Sequence, residues 1–118
     1  MPYMLLIQEP EGQRTQRGEQ AGRQLYGQML DYTESLKQRG VLLASGPLAG
    51  TSNAARVQVR DGSARVIDGP FAEAKEMVGG FFLVDCATRD DALALARDCP
   101  AAHWATVEVR ETGPCYLG

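Results

Sequence analysis

The chain has 118 residues, of which 44% are hydrophobic and 23% charged, and this composition is close to the average for soluble globular proteins. The length fits one domain, residues 1–118, and the composition excludes a disordered chain, a collagen-like repeat and a coiled coil. Twelve Lys and Arg against fifteen Asp and Glu give a net charge of −3. No basic field therefore exists to attract nucleic acid or an anionic membrane, and neither is expected as a partner.

The start of the chain and its cysteines indicate the compartment. The first apolar run is short and has no positive charge before it, so it does not predict a secretory signal. The three cysteines, Cys86, Cys99 and Cys115, have irregular gaps that favour reduced thiols over a disulfide framework. With His103 as the single histidine, no metal site is expected. We expect a cytoplasmic protein without a cofactor.

The first 40 residues predict a strand and a long helix. Residues 3–8 form a short apolar run that is typical of a buried strand. Residues 13–18 are polar, and we expect a mobile loop there. Residues 19–39 predict a helix that ends at Gly40, with an apolar face at spacings of four, three and four: Leu25, Met29, Tyr32 and Leu36.

The rest of the chain predicts five strands and one helix. Asp61-Gly62 is typical of a tight hairpin turn, and Thr88 is placed to cap the second helix. Gly79-Gly80 precedes the most strand-like run of the sequence. The predicted strands are residues 41–45, 56–60, 64–68, 81–85 and 104–110, and the predicted helix is residues 90–97.

Without the central hairpin the order is βαββαβ, which predicts an α+β fold of the ferredoxin-like type. Two helices cover only one face of such a sheet, so the other face must meet solvent or a second copy. We expect Trp104, Thr106 and one of Phe81 and Phe82 to point partly to that second face. Exposed aromatic area favours a homodimer that pairs through the sheet.

Residues 68–80 depart from ordinary strand and helix chemistry. A Gly-Pro turn follows Asp68, Phe71 can anchor that turn, and Glu73 and Lys75 follow within one short polar stretch. Such a segment can place carboxylates and an ammonium group around the mouth of a cavity, where they would bind a ligand or move protons. The alternative is a rigid connector, in which Phe71 fills the core and Glu73 pairs with Lys75 at the surface.

The block DGPFAEAKE, followed two residues later by GGF, resembles the hallmark of the DGPF-domain proteins, a branch of the YCII-related family. The stretches YMLLI, RGVLLASGPL, VQVRDG and DCPAAHWATVEVR follow the layout of the same family. The resemblance implies ferredoxin-like domains that pair sheet to sheet as a dimeric α+β barrel. The wider superfamily includes muconolactone isomerases and small monooxygenases. Genes of this branch often lie beside genes for extracytoplasmic-function sigma factors.

One departure from the family limits what the resemblance implies. The YCII branch proper uses a histidine on the first helix and an aspartate before a Pro-containing turn. Those positions fall here on or near Met29 and on Cys99, with Asp98 one step earlier. The acid–base pair is therefore missing, and its chemistry does not carry over to this chain.

Two hypotheses of different class follow. The first, which we favour, is a pocket between sheet and helices that binds or transforms a small molecule. Its expected ligand-binding residues are Asp68, Phe71, Glu73 and Lys75, and its candidates for catalysis are Asp68, Glu73 and His103. Histidine is the side chain type best suited to proton transfer near neutrality, but a lone histidine in a turn is more often a surface or capping residue. The second is a non-catalytic dimeric module that acts through protein partners in a sigma-factor pathway. No reaction follows from the residues.

Overall fold

The computed structural model describes residues 1–70, 73–116 and 118. They form six strands, three helices and two short 3-10 turns. The strands are β1 (Pro2–Pro10), β2 (Leu42–Pro47), β3 (Ala55–Arg60), β4 (Ser63–Asp68), β5 (Glu76–Asp85) and β6 (Thr106–Glu111). The helices are α1 (Gln13–Arg17), α2 (Glu19–Gln38) and α3 (Arg89–Asp98), and the 3-10 turns are Thr51–Asn53 and Pro100–His103.

Four strands form an antiparallel sheet in the order β2-β5-β1-β6. In the central strand β1, Leu5 lies opposite Phe82 of β5 on one side and Val109 of β6 on the other. Strands β3 and β4 form a separate hairpin. Leaving that hairpin aside, the strand order is that of a ferredoxin-like fold, so the predicted α+β class is confirmed.

The core lies between the helices and one face of the sheet. In α2 the buried residues are Tyr32 and Leu36, both in the C-terminal half. The Tyr32 ring meets the Phe82 ring edge to face at 5.2 Å, and its hydroxyl donates a hydrogen bond to the Leu95 carbonyl oxygen at 2.6 Å. These contacts fix the C-terminal half of α2 to the sheet and to α3.

The predicted turns and caps are present. The Thr88 hydroxyl accepts a hydrogen bond from the Asp91 backbone N–H at 3.1 Å, which begins α3. Gly40 ends α2 in the left-handed region with φ 72°. Asp61 and Gly62 have φ values of 52° and 78° and turn β3 into β4, as expected for an Asp-Gly hairpin.

Two element predictions were wrong. Residues 13–18 are not a mobile loop, since residues 13–17 form α1. Strand β5 begins at Glu76 rather than at residue 81, because its pairing with β1 continues from Ile7 down to Pro10. Gly79 and Gly80 therefore lie inside the strand.

The sheet face away from the helices is open. Register places Met4, Leu6, Phe81 and Leu83 on this open face, where all four are partly exposed. Thr106 lies opposite Gln8 on the same face, as predicted. Of the two phenylalanines, Phe81 takes this face, and the prediction for Trp104 was wrong, because Trp104 packs against the core.

One face of the β3–β4 hairpin is exposed, whereas Arg56, Gln58 and Ile67 on its other face are partly buried. Val57 and Val66 face each other across it and are each 67% exposed. The chain is flat, with extents of 46 × 41 × 19 Å. In the described part of the chain, no helix is long and apolar enough to cross a membrane. Cys86 and Cys99 are buried free thiols, and Cys115 is an exposed one.

Candidate functional site

A cavity of about 790 Å³ lies between the N-terminal half of α2 and the helix-facing side of the sheet. It exists because the apolar face of α2 packs on the sheet only in its C-terminal half. Tyr26 and Leu30 remain 49% and 51% exposed and line the cavity mouth. Its apolar lining residues are Ile7, Leu25, Tyr26, Met29, Leu30, Pro47, Leu48, Ala49, Phe82, Ala101 and Trp104. Phe81, which belongs to the open face by register, also borders the cavity.

One end of this apolar cavity carries an ion pair. Glu9, at the end of β1, is only 6% exposed. Arg14 of α1 donates two hydrogen bonds to its carboxylate, from Nη2 to Oε1 at 2.7 Å and from Nε to Oε2 at 2.8 Å. Two parallel bonds between a planar guanidinium and a carboxylate hold both groups in one orientation.

The same guanidinium also fastens two backbone segments around the cavity. Arg14 donates from Nη1 to the Leu48 carbonyl oxygen at 2.8 Å and from Nη2 to the Gly79 carbonyl oxygen at 3.3 Å. The hydrogen bond to Glu9 raises the pKa of Arg14 above its ordinary value. This end of the cavity thus holds a fixed, internally neutralised pair of charges.

The pair of glycines in β5 makes room for this arrangement. The pairing of β1 with β5 shifts between Ile7 and Gln8, which is the mark of a bulge. A Cβ atom at Gly79 would overlap the Glu9 carboxylate, and its position is 2.8 Å from Nη2 of Arg14. A Cβ atom at Gly80 would lie 3.1 Å from the Gly46 carbonyl oxygen. The Gly-Gly pair therefore admits the ion pair and keeps β2 close to β5.

A second polar cluster borders the cavity at Trp104. The Gln13 side chain donates from Nε2 to the Trp104 carbonyl oxygen at 2.7 Å. Arg17 lies over the Trp104 ring, with Cζ 5.9 Å from the ring centroid, and donates from Nη2 to Oε1 of Gln13 at 2.9 Å. A cation on an indole face is an attractive contact, so these bonds join α1 to the turn before β6.

The residues predicted for the site lie elsewhere. Asp68, Glu73, Lys75 and His103 are all exposed. They are absent from the described residues that line the cavity. Among the residues that the structure describes, Glu73 and Lys75 do not form an ion pair with each other. Phe71 lies outside the described residues, and the roles predicted for these five side chains stay predictions.

The residues that do form the polar end were missed, although one pattern pointed to Glu9. Along β1 the buried positions are Tyr3, Leu5, Ile7 and Glu9. This period of two carries the carboxylate to the helix side, where a buried charge needs a partner. Met29, which stands near the position of the histidine in the YCII branch, lines the cavity. Among the described residues no cluster of His, Cys, Asp or Glu could hold a metal ion.

Comparison with known proteins places the chain in a family. Residues 1–114 match the sequence model of the YCII-related domain. The chain belongs to the YCII-related family. A stretch of 64 residues is 47% identical to an uncharacterized protein of Rhizobium meliloti (strain 1021), and it covers 52% of each chain. This YCII-related chain thus spans about half the length of the curated relative that it matches.

A solved structure supports the fold of this YCII-related chain. The 5-chloro-2-hydroxyhydroquinone dehydrochlorinase of Burkholderia phenoliruptrix AC1100, in complex with 2,5-dihydroxybenzoquinone, superposes with a TM-score of 0.57. The match covers 96% of this chain and 94% of that one at 18% sequence identity. At this identity the likeness establishes a shared fold. The sigma-factor hypothesis receives no support from these comparisons.

Proposed function

We propose that this protein binds a small, planar, largely apolar molecule with acidic oxygen substituents in the cavity between α2 and the sheet. The observation that carries the proposal is the cavity of about 790 Å³ with apolar walls and a fixed ion pair at one end. Ligand sites in proteins are typically concave and apolar, with a few placed polar groups that orient the ligand.

The polar groups at the cavity favour oxygen acceptors on the ligand. Arg14 and Arg17 line the cavity together with the hydroxyl groups of Thr15, Thr33 and Ser45. Hydroxyl groups donate hydrogen bonds, and the Arg17 guanidinium adds a charge that strengthens its bond to an anionic oxygen. The charge of Arg14 is already balanced by Glu9. The Phe82 and Trp104 rings offer flat apolar surface for the remainder of a planar molecule.

The solved neighbour supports the same class of ligand by analogy. That protein is a dehydrochlorinase that holds 2,5-dihydroxybenzoquinone, a planar molecule with acidic hydroxyl groups. We propose binding and no reaction step, because the positions of the histidine and aspartate used by the YCII branch carry Met29 and Cys99 here. The quinone serves as the probe for the proposed site.

A pair of glycine variants tests the proposal. Gly22 and Gly27 both lie in α2, and a Cβ atom at either one meets no atom within 4 Å. Gly22 lines the cavity, whereas Gly27 is not among the described lining residues. Each glycine to leucine change should add about 0.5–1 kcal/mol of helix stability. Only Gly22→Leu should fill the cavity.

The expected result is that the parent and Gly27→Leu bind 2,5-dihydroxybenzoquinone with equal affinity, measured by calorimetry. Gly22→Leu should bind it at least tenfold more weakly while unfolding at the same or a higher temperature. Equal affinity in all three chains, or no binding to the parent, would show that this cavity is not a site for such a ligand.

A second proposal concerns the open face of the sheet. We propose that two copies pair through it, because its central side chains Leu6 and Leu83 are apolar and partly exposed. On its edge strand β6, Glu108 and Arg110 lie two residues apart on this same face. In a two-fold pairing each carboxylate can meet the guanidinium of the other copy, so the face is complementary to itself.

Sedimentation equilibrium tests this pairing. The parent should show a mass twice the 12.8 kDa of one chain. Leu83→Lys should shift the measured mass toward that of one chain, because the substitution places two ammonium groups in the interface. Tyr116→Lys, at a residue that is 83% exposed near the C-terminus, is the matched control and should leave the mass unchanged. A parent that sediments as a single chain contradicts the proposal.

A further inference from the structure

Helix α1 differs from the other helices in how it is held. It has five residues, none of them buried, between Gly12 and Gly18. Both glycines have positive φ, 85° and 84°, which other residues rarely adopt and which glycine enters and leaves at little cost. The helix is therefore a short rigid piece between two backbone positions that can rotate.

Polar side chains, not apolar packing, hold α1 in place. Gln13 and Arg17 both contact Trp104, through its carbonyl oxygen and its ring. Arg14 donates hydrogen bonds to the Glu9 carboxylate and to the Gly79 carbonyl oxygen at the polar end of the cavity. Segments that bury little apolar surface and are held by a few solvent-accessible hydrogen bonds open locally, without unfolding of the whole domain.

The helix also forms part of the cavity wall. Arg14, Thr15, Arg17 and Gly18 line the cavity, so a displacement of α1 widens its mouth. The side chains of α2 at that mouth, Tyr26 and Leu30, are already half exposed. On this side α1 forms the wall that borders the mouth.

We infer that α1 is a hinged lid over the cavity, which rotates about Gly12 and Gly18 and is latched on Trp104 by Gln13 and Arg17. Arg14 tethers the lid, since its long side chain keeps the guanidinium on Glu9 while the backbone moves. The latch bonds exist only in the closed position. Lid opening then controls how fast a ligand enters and leaves, and this part of the inference rests on the proposed function.

A matched pair of variants separates the latch from helix propensity. Gln13→Ala removes the bond to the Trp104 carbonyl oxygen and the bond that Gln13 accepts from Arg17. Gln16→Ala makes the same chemical change at an exposed position of α1. Neither residue is among the described cavity-lining residues. One neutral hydrogen bond corresponds to about a fivefold change in the population of the open lid.

The first measurement needs no ligand. Trypsin cleaves after Arg17 only when α1 is open, because the Arg17 side chain must leave Trp104 to enter the protease, whereas Arg14 stays on Glu9. Cleavage follows the open population when reclosing is fast. Gln13→Ala should raise the rate at which the fragment starting at Gly18 forms by at least about fivefold, and Gln16→Ala should not change it. Equal cleavage rates in Gln13→Ala and Gln16→Ala would overturn the lid.

The second measurement tests whether the lid controls ligand entry and release, by stopped-flow mixing with 2,5-dihydroxybenzoquinone. Gln13→Ala should raise the association and the dissociation rate constants by the same factor and leave their ratio unchanged. Unchanged rate constants with faster cleavage would overturn the gating role. If the quinone does not bind at all, the proposed function fails, while the cleavage rates still decide whether the lid exists.

Discussion

The Glu9 carboxylate occupies the space that a side chain at Gly79 would need. Glu9 lies near the end of the first strand and Gly79 lies in the fifth, yet each determines what the other position can hold. The carboxylate stays buried because Arg14 pairs with it in two hydrogen bonds. The polar end of the cavity thus depends on Glu9, Arg14 and Gly79, which lie on three different elements and meet in space.

Gly79→Ala should therefore destabilise the protein through the carboxylate of Glu9. Overpacking of this kind costs about 1–3 kcal/mol, measured as the free energy of unfolding in urea. In the Glu9→Ala background the same change should cost clearly less, since the overlapping group is gone. Equal costs in both backgrounds would mean that the clash lies elsewhere.

Arg14→Ala should be more costly than loss of an exposed arginine. It leaves the Glu9 carboxylate buried without its partner, which costs about 2–4 kcal/mol in comparable sites. Arg23 is the control, because its ion pair with Glu19 is largely exposed and such pairs contribute about 0–1 kcal/mol. Urea unfolding of both variants checks the difference, and similar losses would contradict the buried pair.

The three cysteines should differ sharply in reactivity. Burial raises the pKa of both the Cys86 and the Cys99 thiol, whereas Cys115 is exposed. Because the thiolate is the reactive form, the folded protein should show one fast thiol with a disulfide reagent at neutral pH. Cys115→Ser should abolish that fast phase. A fast phase that survives the substitution would show that a buried thiol is accessible.

The same burial predicts loss of stability in alkali. A thiol in the unfolded chain ionises with a pKa of about 8.5, while the folded state holds the pKa of Cys99 above its ordinary value. Above the unfolded pKa the unfolded state binds fewer protons than the folded state, so the free energy of unfolding falls as pH rises. The stabilisation from the buried thiol is complete below the pKa of the unfolded chain. It is lost as pH rises through the pKa of the folded state.

Urea unfolding between neutral pH and pH about 10, above the ordinary pKa of a thiol, checks this slope. Cys99→Ala should flatten it, because the titrating group is removed, although the variant is less stable at neutral pH. Cys115→Ser should keep the parent slope. Identical slopes in Cys99→Ala and the parent would contradict the assignment.

Most of the fold follows from local patterns in the sequence. The buried alternation in β1, the Thr88 cap and the Asp61-Gly62 turn each need only a few neighbouring residues. Helix α1 could not be predicted in this way. Its residues are polar and flanked by glycines, and the bonds that hold it run to Glu9 and to Trp104.

The polar end of the cavity escaped prediction for a related reason. The segment that follows Asp68 was predicted to border the cavity because its composition is unusual, but its described polar side chains are exposed. Glu9 and Arg14 look like ordinary loop charges in the sequence. Their role depends on the absence of a side chain at Gly79, which is 65 residues after Arg14.

The methionine methyl groups report directly whether a ligand occupies the cavity. The chain has four methionines, of which Met29 lines the cavity and Met4 lies on the open face of the sheet. Methyl-labelled protein with Cys115→Ser, so that the exposed thiol cannot react, is titrated with 2,5-dihydroxybenzoquinone and followed by NMR. A saturable shift of the Met29 methyl resonance with an unmoved Met4 resonance is the predicted result. A shift of Met4 with Met29 unmoved, or no shift of either, would contradict binding in this cavity.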